Sequence, residues 1–162
     1  MTSPPIVVRD ATPDDFETVV VLELEIFGRS AWSPQSVDAE FAGLGSSRAL
    51  VLADMAGDAV GYAVLRYVDE VADLQRVAVR HTHRRRGIGE QLVTRLLERA
   101  CGLACERALL EVAATNQAAV GLYAALEFVE IARRERYYPG DVDALVMELL
   151  LSDGAAREDR SL

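Results

Sequence analysis

The hexapeptide Arg84-Arg85-Arg86-Gly87-Ile88-Gly89 joins two segments of opposite periodicity. Before it, Asp73-Leu74-Gln75-Arg76-Val77-Ala78-Val79 reads as a strand. After it, Leu92, Val93, Leu96, Leu97 and Ala100 recur at the spacing of an amphipathic helix. Two glycines at a strand-to-helix junction let backbone amides converge on one point, and the helix N-terminus adds partial positive charge. The result is a cradle for an anion such as a pyrophosphate. Three arginines in front supply full charges and forked donors for phosphate oxygens. A Gly-x-Gly pattern alone is often only a turn. The strand and helix on its flanks make it a binding loop for a phosphorylated ligand.

Outward from the loop, the chain keeps alternating between strand and helix. Toward the N-terminus, residues 48–55 and 59–69 form two β-rich runs joined by Ala56-Gly57-Asp58, a hairpin signal. Ile6-Val7-Val8-Arg9 is a first strand. Thr12-Pro13-Asp14-Asp15 opens a helix with a capping hydroxyl, proline at its first position and acids in its first turn. That helix carries Phe16, Val19, Val20, Glu23 and Phe27, and a break follows at Gly28-Arg29-Ser30. Ser33, in Trp32-Ser33-Pro34, caps a second helix reaching about Leu44.

Toward the C-terminus, the helix after the loop runs to about Leu103. A strand follows at 107–112, then a short helix at 116–126 and two strands at 128–138 and 144–151, joined by Pro139-Gly140-Asp141. The order is β-α-α-β-β-β-α-β-α-β-β, one mixed α/β domain over residues 1–151. Residues 152–162 are a polar tail expected to fray. The helical crossover sets the strands at 73–79 and 107–112 parallel.

Composition narrows the partners. The 162 residues suffice for one packed core, and 51% of them are hydrophobic. The net charge of −9 argues against direct nucleic-acid binding and favours a cationic partner such as an amine or a protein N-terminus. No apolar stretch is long enough for a membrane helix, and the first residues carry no signal-like run, so a cytoplasmic location and no membrane partner are expected. Cys101 and Cys105 read as free thiols. His81 and His83 lack the companions a metal site needs, so no metal is expected.

Two side chains carry acid–base chemistry. Glu111 stands near the end of the strand Ala108-Leu109-Leu110-Glu111-Val112. Its apolar neighbours point to a partly desolvated carboxylate, whose raised pKa would make it a better base; a solvent-facing or arginine-paired glutamate is the alternative. Tyr123 lies on the helix capped by Asn116, with Ala119, Leu122 and Leu126 on the same side. It either presents its phenol to a cleft or packs its ring.

These segments together resemble the GNAT superfamily of acetyl-CoA-dependent N-acetyltransferases. The loop fits that family's Gln/Arg-x-x-Gly-x-Gly/Ala signature, and the element order matches across residues 6–151. Within the superfamily the chain is most similar to the ribosomal-protein-alanine N-acetyltransferases, the RimI type. Val77-Ala78-Val79 with the loop and Leu110-Glu111-Val112 with Thr115-Asn116 carry the superfamily resemblance. The spacing from Glu111 through Asn116 to Tyr123 and the ending Arg133-Arg134-Glu135-Arg136-Tyr137-Tyr138-Pro139 are more specific.

The resemblance implies a mostly antiparallel mixed sheet whose central parallel strands splay apart. Val77, Ala78 and Val79 would then bind the pantetheine arm as an added strand does. It further implies that Arg85, Arg86, Gly87, Ile88, Gly89 and Glu90 wrap the pyrophosphate and that Asn116 contacts the coenzyme. Glu111 would take the amine's proton through water and Tyr123 would protonate the departing thiolate. Two positions depart from the family pattern, both on its acceptor side. Ala113 replaces a common arginine, and Gln75-Arg76 replaces an aliphatic-Asn pair.

The expected acceptor is a protein N-terminus, that of a ribosomal protein with terminal alanine. An α-amine has a pKa of about 8 against ~10.4 for lysine, so roughly a quarter is unprotonated at pH 7.5 against about 0.1%. One modest base therefore suffices. A GNAT enzyme acting on a small amine is the alternative, and a non-catalytic acyl-CoA-binding sensor is a second. The oligomeric state is left open, with a monomer sufficient for the chemistry.

Overall fold

A computed structural model describes residues 3–151 of the chain. The expected polar tail at 152–162 lies outside the described residues. In chain order the elements are β1 (Ile6–Asp10), α1 (Phe16–Phe27), α2 (Pro34–Ala42), β2 (Arg48–Met55), β3 (Asp58–Val68), β4 (Val71–Val79), α3 (Ile88–Gly102), β5 (Arg107–Ala113), α4 (Gln117–Ala125), β6 (Val129–Tyr138) and β7 (Val142–Leu150). This is the order read from the sequence. The seven strands form a mixed sheet in the order β1-β2-β3-β4-β5-β7-β6. β4 and β5 are its parallel pair, with Val71, Ala72 and Asp73 opposite Arg107, Ala108 and Leu109.

Local chemistry explains where the elements begin. Pro13–Asp15 form a single 3-10 turn leading into α1, and the Asp15 carboxylate accepts the Thr12 amide at 2.8 Å. That is the reciprocal half of a capping box. Ser33 Oγ accepts the Ser36 amide at 3.1 Å to start α2. This helix ends at Ala42 rather than Leu44, because the Gly43 carbonyl turns to accept the amides of Ser46, Ser47 and Arg48. At the β2–β3 hairpin, Ala56 and Gly57 both adopt positive φ (52° and 84°), the conformation that matches strand twist in a two-residue turn.

The described residues fall into two compact units. The first comprises those up to Arg66 together with Gln75–Leu96. Its β2 and β3 are buried on both faces, as their near-continuous apolar sequences require. Leu50, Leu52, Tyr62 and Val64 meet Val19, Leu22 and Ile26 of α1 and Val37 of α2. Alternate positions, Val51, Ala53, Ala63 and Leu65, are equally buried on the opposite face. The buried stripe of α1 runs through Val19, Leu22, Glu23 and Ile26, turned slightly from the expected one, while Phe16, Val20 and Phe27 pack at its margin.

The second unit comprises Tyr67–Leu74 and the described residues from Leu97 onward. β5 pairs antiparallel with β7, and β7 with β6. Ala108, Leu110, Val112, Leu145 and Met147 are buried, whereas nearly all of the edge strand β6 is exposed.

Candidate active site

The arginine–glycine loop is built in the first unit. Arg85 and Gly87 both take left-handed backbone (φ 64° and 76°), alternating with ordinary residues so that successive amides turn toward a common side. The Gly87 carbonyl accepts the amide of Gln91 at 3.1 Å, the first turn of α3. The amides of Ile88, Gly89 and Glu90 therefore precede the first intrahelical bond and remain as donors for an anion. Arg84, Arg85 and Arg86 are exposed. Arg84 Nε leans back to the Val79 carbonyl at 3.4 Å, and Arg86 Nη1 to the Met55 sulfur at 3.8 Å. Ile88 faces inward and is fully buried, anchoring the loop to the core.

Val77, Ala78 and Val79 close β4 beside the loop. Leu74 onward continues the strand past its ladder with β5. Gly61 of β3 approaches this stretch so closely that an added Cβ would stand 2.6 Å from the Ala78 carbonyl oxygen. Only glycine fits there, and any side chain would push the end of β4 aside.

Glu111, Asn116 and Tyr123 belong to the second unit, on consecutive elements. Glu111 does not lie among apolar groups, as its sequence neighbours led us to expect. Leu110 and Val112 are buried, and strand alternation turns the glutamate between them to the other face. There it keeps 34% of its side-chain exposure, and Oε1 lies 3.1 Å from Arg134 Nη2. Tyr138 also lies within reach of its charge; burial first, and then Glu111, hold that phenol's pKa up.

Asn116 caps α4, its Oδ1 accepting the Ala119 amide at 3.2 Å. The carbonyl oxygen is thereby engaged, and the amide nitrogen is the part left for a ligand. The ring of Tyr123 is buried in the second unit. It is 8% exposed and edge-on to Phe128, with centroids 5.9 Å apart. Burial pushes its phenol up to about 12, so the hydroxyl stays protonated at any working pH.

The sequence reading missed a buried polar cluster in the first unit. Glu23 is fully buried and receives the Trp32 amide (2.8 Å), the Tyr62 hydroxyl, and Arg76 through Nε (3.1 Å) and Nη2 (2.8 Å). Arg76 also donates to the Ser30 carbonyl at 3.2 Å. Phe27 lies 3.5 Å and Trp32 4.9 Å from its guanidinium carbon. The signal was present: a glutamate on the apolar stripe of α1, and an arginine where the family pattern has asparagine. Cys105 is buried, which raises its thiol pKa, and Cys101 is a second free thiol. A cavity of about 410 Å³ lies between α1 and the β2–β3 hairpin, lined by Arg9, Glu17, Asp54, Asp58 and Arg80 among others; none of the expected site residues lines it.

The loop, the strand before it and the β5–α4 pair invite comparison with known proteins. Residues 16–128 match the model of the acetyltransferase (GNAT) family. The chain belongs to this family. It is 34% identical over 99 residues to the [ribosomal protein bS18]-alanine N-acetyltransferase of Escherichia coli K12, covering 59% of this chain and 67% of that protein. It is also 34% identical over 149 residues to the uncharacterized protein ML0378 of Mycobacterium leprae. That match takes in 88% of this chain but spans only 40% of the longer relative. Among solved structures, the ribosomal-protein-S18-alanine N-acetyltransferase from Escherichia coli superposes with a TM-score of 0.83 at 26% identity, over 91% of this GNAT chain and 95% of that one.

Proposed function

We propose that this GNAT protein transfers acetyl from acetyl-CoA to the N-terminal α-amine of a protein, with a ribosomal protein's terminal alanine as its acceptor. The observation that carries this reading is the β5–α4 unit. Glu111 stands at the strand end, Asn116 caps the next helix and Tyr123 lies on that helix with its hydroxyl held protonated. Similarity to the [ribosomal protein bS18]-alanine N-acetyltransferase supports the choice of acceptor.

Acetyl-CoA would supply the thioester. The loop suits its pyrophosphate: the amides of Ile88, Gly89 and Glu90 are free of helix bonds, and a Cβ built at Gly87 meets nothing within 4 Å. The backbone of Val77, Ala78 and Val79 would hold the pantetheine arm by strand-like hydrogen bonds. Glu111 takes the proton that the α-amine loses as its nitrogen bonds to the acetyl carbon. Tyr123 donates its own proton to the sulfur as the C–S bond breaks. A phenol at about 12 is some three to four units weaker an acid than a thiol near ~8.5. Its part is therefore to hydrogen-bond the sulfur as charge develops there, and the proton it passes on is replaced from solvent as coenzyme A leaves.

Mass spectrometry tests the reading. Purified protein, acetyl-CoA and peptides copied from ribosomal-protein N-termini should give a mass gain on the α-amine of an alanine-terminated peptide. Transfer to small amines with no transfer to any peptide terminus would reject it.

A further inference from the structure

Arg134 reaches Glu111 across an intervening strand. β6 pairs with β7 and β7 with β5, so the two backbones stand about 10 Å apart, a gap only long side chains close. Glu111 is opposite Val146 and Arg134 opposite Ala144, two positions on one face of β7. The short, fully buried side chain of Ala144 leaves room for the arginine to lean over it.

The resulting contact is a single one, Nη2 to Oε1 at 3.1 Å, between side chains 56% and 34% exposed. It is not the two-pronged clasp that makes arginine–carboxylate pairs strong. Exposed pairs of this kind favour their closed state by no more than about fivefold.

In the same position Arg134 also touches an aromatic ring. Its guanidinium carbon lies 5.4 Å from the centre of the Tyr137 ring, within range of a cation–π contact. A bulge brings Tyr137 there. Three residues separate Arg134 from Tyr138, where one separates Ala144 from Val142 on the partner strand. Arg136 takes left-handed backbone (φ 53°) within it. Asp143 fixes the bulge by accepting the Arg136 amide and the Arg133 guanidinium, each at 3.0 Å.

We propose that Arg134 is a displaceable counter-ion of the general base. It holds the Glu111 carboxylate turned across β7 while the acceptor site is empty, and gives up that oxygen, keeping its contact with Tyr137, when the acceptor's amine arrives. The inference rests on Glu111 being the base. A carboxylate oxygen engaged by a guanidinium is poorly placed to receive a proton, and arginine does not give up its own. The arginine has to give up Oε1 before that oxygen can take a proton. An acceptor arriving as ammonium brings the same charge to the same oxygen, so one cation replaces another and the carboxylate is never unpaired. Glu111 passes the ammonium's first proton on to solvent and is then free to take the second, as the nitrogen's lone pair bonds to the acetyl carbon and the C–S bond breaks to release coenzyme A.

Steady-state kinetics with an alanine-terminated peptide test this, using Arg134→Gln, Arg134→Lys, Glu111→Gln and the double variant. Removing the competing cation should lower the acceptor KM about two- to fivefold, leaving the KM for acetyl-CoA unmoved. Lysine should restore the wild-type acceptor KM. With Glu111 already replaced, Arg134→Gln should no longer change acceptor affinity, read by calorimetry where turnover is too slow. A raised acceptor KM would make Arg134 a substrate contact and overturn the proposal. An unchanged KM, or the same change in the Glu111→Gln background, would overturn it too. Wild-type turnover in Glu111→Gln alone would remove the base assignment itself, and the inference with it. Arg134 is half-exposed on an edge strand, and matching melting temperatures confirm that the comparison is made between folded proteins.

Discussion

Glu23 Oε1 lies 2.8 Å from Arg76 Nη2, a carboxylate with no solvent exposure meeting a guanidinium still 19% exposed. The pair ties α1 to β4, one residue before the stretch proposed to hold the coenzyme. Through the Trp32 amide and the Ser30 carbonyl it also fixes the chain between the first two helices. Burying a charge costs several kcal/mol, and here four donors offset that cost.

Removing one partner leaves the other charge stranded. Arg76→Asn, the residue usual in the family, should destabilise this protein by about 3 kcal/mol or more, because Glu23 loses its counter-charge in a dry site. For a domain of this size that is a fall in Tm of about 6–12 °C. Replacing Glu23 by Gln together with Arg76→Asn should recover part of the loss. Calorimetric melting of the three variants checks it; equal Tm values for Arg76→Asn and wild type would show that the cluster contributes nothing net.

At Gly87 the backbone, not the space, forbids a side chain. A Cβ there meets nothing within 4 Å, but φ is +76°. Gly87→Ala should cost about 1–2 kcal/mol if the loop keeps its conformation. If the loop relaxes instead, its amides turn away and acetyl-CoA affinity falls about tenfold or more. Gly121, inside α4, has equally open surroundings and no positive φ, so Gly121→Ala should stabilise by about 0.5–1 kcal/mol. Isothermal titration with acetyl-CoA and thermal melts read both. A Gly87→Ala protein with unaltered affinity and stability would remove the loop's conformation from the binding argument.

Features whose cause lies within a few residues were legible in the sequence. The turn at Ala56-Gly57, the caps at Thr12, Ser33 and Asn116, and the strand–loop–helix around Gly87 each follow from local chemistry. The surroundings of Glu111 were not legible. They depend on the β5–β7–β6 register and on a bulge in β6, and so on pairings that lie outside the local sequence: Glu111 stands opposite Val146, 35 positions on, and Arg134 opposite Ala144, 10 positions on. Apolar neighbours along a strand describe the opposite face, which is why the expected desolvation was misplaced. The Glu23 cluster was hidden for the same reason: its partners lie 9, 39 and 53 positions away.

Acid should weaken the N-terminal cap. Hydrogen bonds from Arg9, and then from the Thr12 amide, hold the Asp15 carboxyl below its ordinary 3.8. As pH falls, the unfolded chain takes up this proton first. The stabilisation is therefore complete above about pH 5 and is lost as pH falls through 3.8 and beyond. Asp15→Asn should lower stability by about 1–2 kcal/mol at pH 7 and by progressively less toward pH 3. Urea melts at three pH values read the difference; a gap that stays constant with pH would detach it from the ionisation of Asp15.

Tyr123 offers a test in which pH separates two roles. Its phenol is held up to about 12 by burial, two units above the ordinary value of 10.0. If its hydroxyl serves the departing sulfur, Tyr123→Phe should lower kcat by about 10²–10⁴-fold and leave the KM for acetyl-CoA nearly unmoved. Phenylalanine keeps the edge-on contact with Phe128, so the fold should survive and its melting temperature should stay within a few degrees. In the wild-type enzyme the alkaline limb of kcat should show no loss attributable to this phenol up to pH 10. An unburied tyrosine would already be half ionised there. A Phe variant that loses affinity for acetyl-CoA at unchanged kcat would instead make the hydroxyl a coenzyme contact. One that loses neither would leave Tyr123 as a packing residue, and the proton for the thiolate would have to come from solvent.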